Sequence, residues 1–325
     1  MQQRSLGRTG LTVSALGYGA GAVGGLMVRG SQAEQQASLD RALAAGITYV
    51  DTAALYGDGE SERSLGRLLK GRAEQPVLGT KVRLPAALRG DIPGAIAASL
   101  EASLTRLGRD HVDLFQLHDP IVPRGGSPGG YTLAQVLGEA VPAMQRLRDQ
   151  GKCRFLGITA LGDTQVLGEL LEKGVIDTAQ IPFNALNPSW LAPKPARLPG
   201  QDFAGLGRKA AAQGVGLIAI RILAGGALSG EAARHPVAMP QVAPIASGPD
   251  YAADVAEARR LLPLVAEGHA ASLAELAIRY ALSWPEIGTA LIGTASVEQL
   301  EVAIAAAEKG PLPAETLARI GALLA

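Results

Sequence analysis

Four side chains in the early part of the chain have the types and spacing needed to move a proton: Asp51, Tyr56, Lys81 and His118. Asp51 ends the apolar run ITYVD, Lys81 lies at the end of VLGTKV, His118 directly follows VDLFQL, and Tyr56 comes five residues after Asp51. A phenol of pKa ~10 is a poor proton shuttle at neutral pH unless a neighbouring cation favours its anion. Lys81 would supply that cation. A buried lysine tends to lose its own proton, and a carboxylate on its far side, Asp51, would oppose that loss. His118 would hydrogen-bond a substrate oxygen from the other side and fix its orientation. Together the four make a proton donor for an oxygen that gains negative charge in a transition state.

Each residue also has a plainer role. Asp51 with Thr52 could cap a helix, Tyr56 could pack with a wet hydroxyl, Lys81 could close a strand at the surface, and His118 could bond a backbone carbonyl. Their arrival at three successive strand ends favours the shared chemistry.

That convergence requires particular elements. The opening RSLGRTGLTVSALGYGA alternates apolar and polar residues about Arg8-Thr9-Gly10, which predicts a hairpin running into a further strand. Strands are expected at Ala15–Tyr18, Ile47–Asp51, Val77–Lys81, Val112–Leu117, Phe155–Thr159, Thr178–Ile181, Gly216–Ile220 and Thr289–Ile292. Helical periodicity fills most of the intervals, at Gln32–Ala45, Ile92–Leu107, Leu133–Arg148, Thr164–Lys173 and Phe203–Gln213. Such alternation means parallel strands with helical crossovers. An open doubly wound sheet would satisfy the same pattern, and eight strands favour a closed (β/α)8 TIM barrel. Two stretches break the rhythm, Asn187–Gln201 and Ser229–Tyr251. With Asp119–Tyr131 they are expected to be loops shaping a substrate pocket, with Trp190 either lining that pocket or packing.

Composition narrows the partners. The chain has 325 residues, 47% hydrophobic and 18% charged, which suits one globular domain spanning 1–325. Thirty basic residues balance thirty acidic ones, and no basic tract suited to a phosphate backbone is present, so nucleic acid is not an expected partner. No apolar run reaches the ~20 residues of a membrane span, and Arg4 and Arg8 are not followed by a secretory apolar segment. Cys153 is the only cysteine, which excludes an intramolecular disulfide and fits a reducing, cytoplasmic setting. His111, His118, His235 and His269 lack ligand spacing, so no metal site is expected.

The segment YVDTAALYGDGESERSLGRLLKG resembles the signature of the aldo-keto reductase family, with VLGTKV similar to its lysine strand and DLFQLHDP to its histidine strand. RSLGRTGLTVSALGYGA is similar to the amino-terminal hairpin that covers the bottom of that family's barrel. The resemblance implies a tetrad in which Tyr56 is the general acid or base, Lys81 and Asp51 tune it, and His118 orients the substrate. It further implies an extended NAD(H) or NADP(H) bound across the barrel mouth without a glycine fingerprint. GYGAGAVGG is not such a fingerprint.

By the same resemblance Gly19 and Ala20 line the nicotinamide site, and Asp51 also faces the ribose. Thr159 stands where relatives have serine and Ala160 where they have asparagine, so one carboxamide hydrogen bond is lost, typically about 0.5 to 1.5 kcal/mol. Gln180 is the main carboxamide candidate. In IAIRILAGGAL, Ile220 and Arg221 replace an aromatic and a serine, and Leu223 follows among the cofactor contacts. Ile220 would give an apolar wall. Arg221 would bring a guanidinium near the pyrophosphate or pair with a loop carboxylate. LIGTASVEQLEVAIAA resembles the last cofactor segment, with Gly293, Thr294, Ser296 and Gln299 as contacts and Ala303 where an asparagine often touches adenine. No lysine or arginine stands there to demand a 2′-phosphate, so NAD and NADP are not distinguished.

The expected activity is reduction of an aldehyde or ketone, or oxidation of the matching alcohol or sugar, by a monomer or low-order homo-oligomer acting on a small molecule. A non-catalytic dinucleotide-binding accessory subunit is the alternative. A Schiff-base role for Lys81 would leave the tyrosine and histidine contexts unexplained.

Overall fold

The computed structural model describes residues 1–123 and 130–325. Residues 124–129, part of the expected pocket loop after His118, lie outside the described residues. A hairpin of β1 (Gln3–Ser5) and β2 (Thr12–Ser14) precedes eight strands: β3 (Leu16–Gly19), β4 (Tyr49–Asp51), β5 (Val77–Val82), β6 (Val112–Leu117), β7 (Cys153–Thr159), β8 (Thr178–Pro182), β9 (Gly216–Ile220) and β10 (Ile287–Ile292). These eight pair in parallel in chain order, and β10 pairs back onto β3, so the sheet is a closed (β/α)8 barrel. Because each strand neighbours the next in sequence, all their carboxyl ends open on one mouth.

Local signals fix the crossovers. Ser31 and Glu34 form a reciprocal capping box at the start of helix 32–44. Asp91 caps helix 92–107, whose left-handed Gly108 ends it. Helix 133–149 contains a π-helical turn at Val136–Ala140, which ends two residues before Pro142, a residue without the N–H needed to continue the α ladder. The periodicity places a helix from Phe203, whereas the observed helix is Leu206–Ala212. Phe203 stacks on Trp190 at 4.6 Å, and Gly205 takes a left-handed φ of 72° that sets the true start. Trp190 is fully buried in that stack, so it packs and does not line a pocket. Helices 60–69, 164–172, 251–259, 273–282, 297–308 and 314–324 also belong to the outer layer.

The hairpin closes the end opposite the mouth. Leu6 and Val13 are fully buried against Tyr49, Leu114, Ile218 and Leu291. Gly7 approaches β9 so closely that a Cβ there would lie 2.3 Å from the Gly216 nitrogen. Arg4 donates to the Ile287 carbonyl at 2.9 Å, and the Arg8 amide donates to the Gly214 carbonyl at 2.6 Å. The hairpin therefore works as an apolar plug pinned at its rim. Leu6→Ala is expected to destabilise the fold by about 2 to 5 kcal/mol, read from urea unfolding. A cost below about 1 kcal/mol would mean that the plug is dispensable.

Candidate active site

The closed order of strands brings the four sequence-predicted residues together. Asp51 ends β4, Lys81 is the penultimate residue of β5, and His118 follows β6. Tyr56 stands in the loop after β4. Three consecutive left-handed residues, Gly57, Asp58 and Gly59, turn this loop into the next helix. Ser61 anchors it underneath by bonding Thr52 Oγ1 at 2.7 Å and the Ala20 carbonyl at 2.8 Å.

Lys81 Nζ is buried and makes three contacts. It pairs with Asp51 Oδ2, donates to the Thr52 carbonyl at 2.7 Å, and donates to Tyr56 Oη at 3.2 Å. Burial alone would pull the ammonium toward the neutral amine, but the Asp51 carboxylate and Tyr56 outweigh it and hold the Lys81 pKa above its usual value. The His118 ring meets the Tyr56 ring edge-on with centroids 5.9 Å apart. Burial first, then the charges of Lys81 and Arg83, depress the His118 pKa to about 3.

Asp51 is the hub of a polar cluster inside the barrel. Its Oδ1 accepts from Gln180 Nε2 at 2.6 Å, Tyr49 Oη at 3.1 Å and Gln116 Nε2 at 3.4 Å. Burial, and next the adjacent carboxylate, push the Tyr49 phenol well above its usual pKa, so it stays a neutral donor. Gly79 makes room for this contact, since a Cβ there would lie 2.6 Å from Tyr49 Oη. Sequence reasoning missed Tyr49 and Gln116. The available signal was period-two spacing: Tyr49 precedes Asp51 by two residues and Gln116 precedes His118 by two.

The expected cofactor residues fall into three groups around the mouth. The Ala20 amide donates to the Asp51 carbonyl at 2.8 Å, and Gly19 packs on the end of β10. Thr159 ends β7, while the Gln180 amide group is engaged with Asp51. Ile220 and Leu223 are half-buried on either side of Arg221, which takes a left-handed φ of 58°. Arg221 Nη1 donates to the Ala243 carbonyl at 3.3 Å and makes no ion pair among the described residues, so the expected loop carboxylate partner is not found. After β10, Gly293 and Thr294 press against Gly24, Ser296 caps helix 297–308, and Gln299 Oε1 accepts the Ala295 amide at 2.8 Å. Ala303 is fully buried in the core.

Unpartnered polar atoms lie near this mouth. His118 Nδ1, Thr159 Oγ1 and Thr294 Oγ1 are buried side-chain atoms without a partner among the described residues. Buried polar atoms are ordinarily satisfied, so three such atoms near strand ends suit hydrogen bonds from a bound molecule. No cluster of His, Cys, Asp and Glu able to hold a metal occurs among the described residues, and none of their helices is long and apolar enough to cross a membrane.

Known proteins resemble this chain. L-galactose dehydrogenase of Arabidopsis thaliana is 29% identical across all of this chain and 94% of its own length. The NADH-specific methylglyoxal reductase of Escherichia coli is 30% identical over 58% of this chain and 60% of that protein. The structure of aldo-keto reductase AKR11C1 from Bacillus halodurans, in its holo form, superposes with a TM-score of 0.74 at 26% identity, covering 99% of this chain and 96% of that one. The aldo/keto reductase family model matches residues 15–325, and the chain belongs to that family.

Proposed function

We propose that the chain is a nicotinamide-dependent oxidoreductase that reduces an aldehyde or ketone, or oxidises the matching alcohol or sugar, with Tyr56 as the proton donor or acceptor. The observation that carries this reading is the hydrogen bond from the buried Lys81 ammonium to Tyr56 Oη. Because the ammonium donates to that oxygen, the phenolic hydrogen is left to point elsewhere, toward a substrate oxygen in the mouth. The same ammonium stabilises the negative charge that remains on Tyr56 once the proton has gone. Asp51 keeps Lys81 charged, and Tyr49, Gln116 and Gln180 keep Asp51 in place.

A bound nicotinamide supplies or removes the hydride at the substrate carbon. Gly19, Ala20 and Asp51 would border its ribose and ring, with Thr159 and Gln180 at the carboxamide. Gln180 would have to share its amide between Asp51 and the ligand. Ile220 and Leu223 would wall the ring, Arg221 would face the phosphates, and Gly293, Thr294, Ser296 and Gln299 would hold the adenosine end. The Escherichia coli relative is NADH-specific and no lysine or arginine stands at 293–299, so both NAD(H) and NADP(H) stay in this reading. The working unit is the whole barrel, residues 1–325, in the cytoplasm, as a monomer or low-order homo-oligomer on a small-molecule substrate.

His118 acts as a neutral hydrogen-bonding group. Imidazole held near pKa 3 carries no charge at neutral pH, so it can orient a carbonyl or hydroxyl oxygen without competing as an acid.

Two measurements test these roles. Tyr56→Phe should lower turnover on any accepted carbonyl by roughly 10²- to 10⁴-fold, while NADH or NADPH binding followed by fluorescence stays within about twofold. Undiminished turnover in that variant would remove Tyr56 from the chemistry. The second concerns stability. His118 drops from its ordinary 6.5 to about 3 on folding, so between these values the unfolded chain takes up a proton that the folded chain refuses. Its contribution is complete above pH 6.5 and is lost as pH falls toward 3, with a slope of up to about 1.4 kcal/mol per pH unit. His118→Asn should flatten that part of the acid limb in urea unfolding at pH 7, 6 and 5. An unchanged slope would show that the folded protein protonates His118 freely.

A further inference from the structure

The hydrogen bond between Lys81 and Tyr56 joins two different elements, the strand β5 and the loop after β4, so its length depends on how those two are held relative to each other. Helix 60–69 is bonded to both. At its start the Ser61 amide donates to the Tyr56 carbonyl at 3.2 Å, which ties the tyrosine directly to the first turn. The next residue is Glu62, whose Oε1 accepts from Thr80 Oγ1 at 2.5 Å. Thr80 immediately precedes Lys81 on β5, and successive side chains of a strand point to opposite faces, so Lys81 projects into the barrel and Thr80 out toward the helix. Adjacent residues of one helix therefore grip the two partners of the Lys81–Tyr56 bond from behind.

Glu62 is completely buried, as is Thr80. Its second oxygen, Oε2, accepts from Arg106 Nε of helix 92–107 at 2.7 Å, and Arg106 Nη2 donates to Ser103 Oγ at 3.1 Å. The arginine also lies against the turn that follows Tyr56. A Cβ on Gly59 would lie 2.5 Å from Arg106 Cδ, and one on Gly66 would lie 2.4 Å from the Arg106 carbonyl oxygen. Burying an ion pair desolvates both ions, and apolar side chains of similar volume are often at least as stabilising. What the pair supplies and apolar packing does not is direction: a carboxylate with both oxygens engaged fixes the register of helix 60–69 on β5 and on helix 92–107.

We propose that Glu62 is a positioning residue for proton transfer: by tying the helix start that holds Tyr56 to Thr80, it sets the separation of Lys81 Nζ and Tyr56 Oη. The inference rests on the function proposed above and adds to it a carboxylate outside the barrel that acts through Thr80 and Ser61. At 3.2 Å the Lys81–Tyr56 bond stands at the long end of the usual range, so a small displacement of either element loses it.

Glu62→Ala would leave Arg106 without its carboxylate and unsettle the fold, so the deciding variant is Thr80→Val, which removes one hydroxyl and keeps the Glu62–Arg106 pair. Thermal melting establishes that it is folded. Its kcat on an accepted carbonyl is expected to fall roughly ten- to hundredfold while KM and NADH binding stay within about twofold, and Thr80→Ser should recover most of the loss. In a Tyr56→Phe background the same Thr80→Val change should cost nothing further, because the bond it loosens is already gone. A merely structural fault would lower the residual turnover by the same factor again. A readout independent of turnover is the Tyr56 resonance in protein labelled with carbon-13 at tyrosine Cζ, identified as the signal that Tyr56→Phe removes. It should move in Thr80→Val and return in Thr80→Ser. An unmoved Tyr56 signal, or kcat losses that multiply in the double variant, overturns the proposal. A signal that moves in a protein that turns over no carbonyl keeps the positioning of Tyr56 by Glu62 and ends the oxidoreductase reading.

Discussion

An ammonium group carries three hydrogens, and inside this barrel the Lys81 ammonium meets three acceptors: the Asp51 carboxylate, the Thr52 carbonyl and the Tyr56 hydroxyl. A charge taken out of water is tolerated only when it is paired and its hydrogen bonds are made. Much of the mouth follows from meeting that requirement. β4 and β5 must be neighbours, so that Asp51 and Lys81 meet. The loop after β4 must fold back, which the left-handed run 57–59 and the Ser61 anchor bring about. Asp51 in turn collects its donors from β4, β6 and β8, which converge only in a closed sheet.

The same requirement explains why small residues sit where they do on β5 and β7. Gly79 leaves the space through which Tyr49 reaches Asp51. Gly157 does the equivalent for Gln116, since a Cβ there would lie 2.8 Å from Gln116 Cγ. A filled apolar layer at this height would exclude the polar cluster and strand the lysine.

The eight strands were legible because each is a short apolar run bounded by turn residues, and Asp51, Lys81 and His118 were legible because polar residues at the ends of such runs stand out. Tyr49 and Gln116 were not, because an aromatic or an amide inside a strand looks like ordinary packing until its neighbours across the barrel are known. Phe203 misplaced a helix start for a related reason: its apolar side chain continues the helical period, yet it is spent on stacking with Trp190.

The loop of residues 230–250 shows how a poorly patterned sequence can still adopt a defined course. Its contacts with the loop after β3 run almost entirely to main-chain carbonyls. Arg29 donates to Val237 at 2.7 Å and Ala22 at 2.6 Å, the Met239 amide donates to Val23 at 3.0 Å, and Arg234 spans Gly225 and Met239. Carbonyl acceptors are supplied by every residue, so the side chains at 22, 23 and 237 are free to be small and apolar without loosening the bridge. What the sequence must conserve in energy terms is the pair of arginine donors and the glycines that let them approach. The Ala- and Pro-rich composition of the loop is therefore compatible with order, and it links the segment after β9 to the first loop of the barrel, the one after β3.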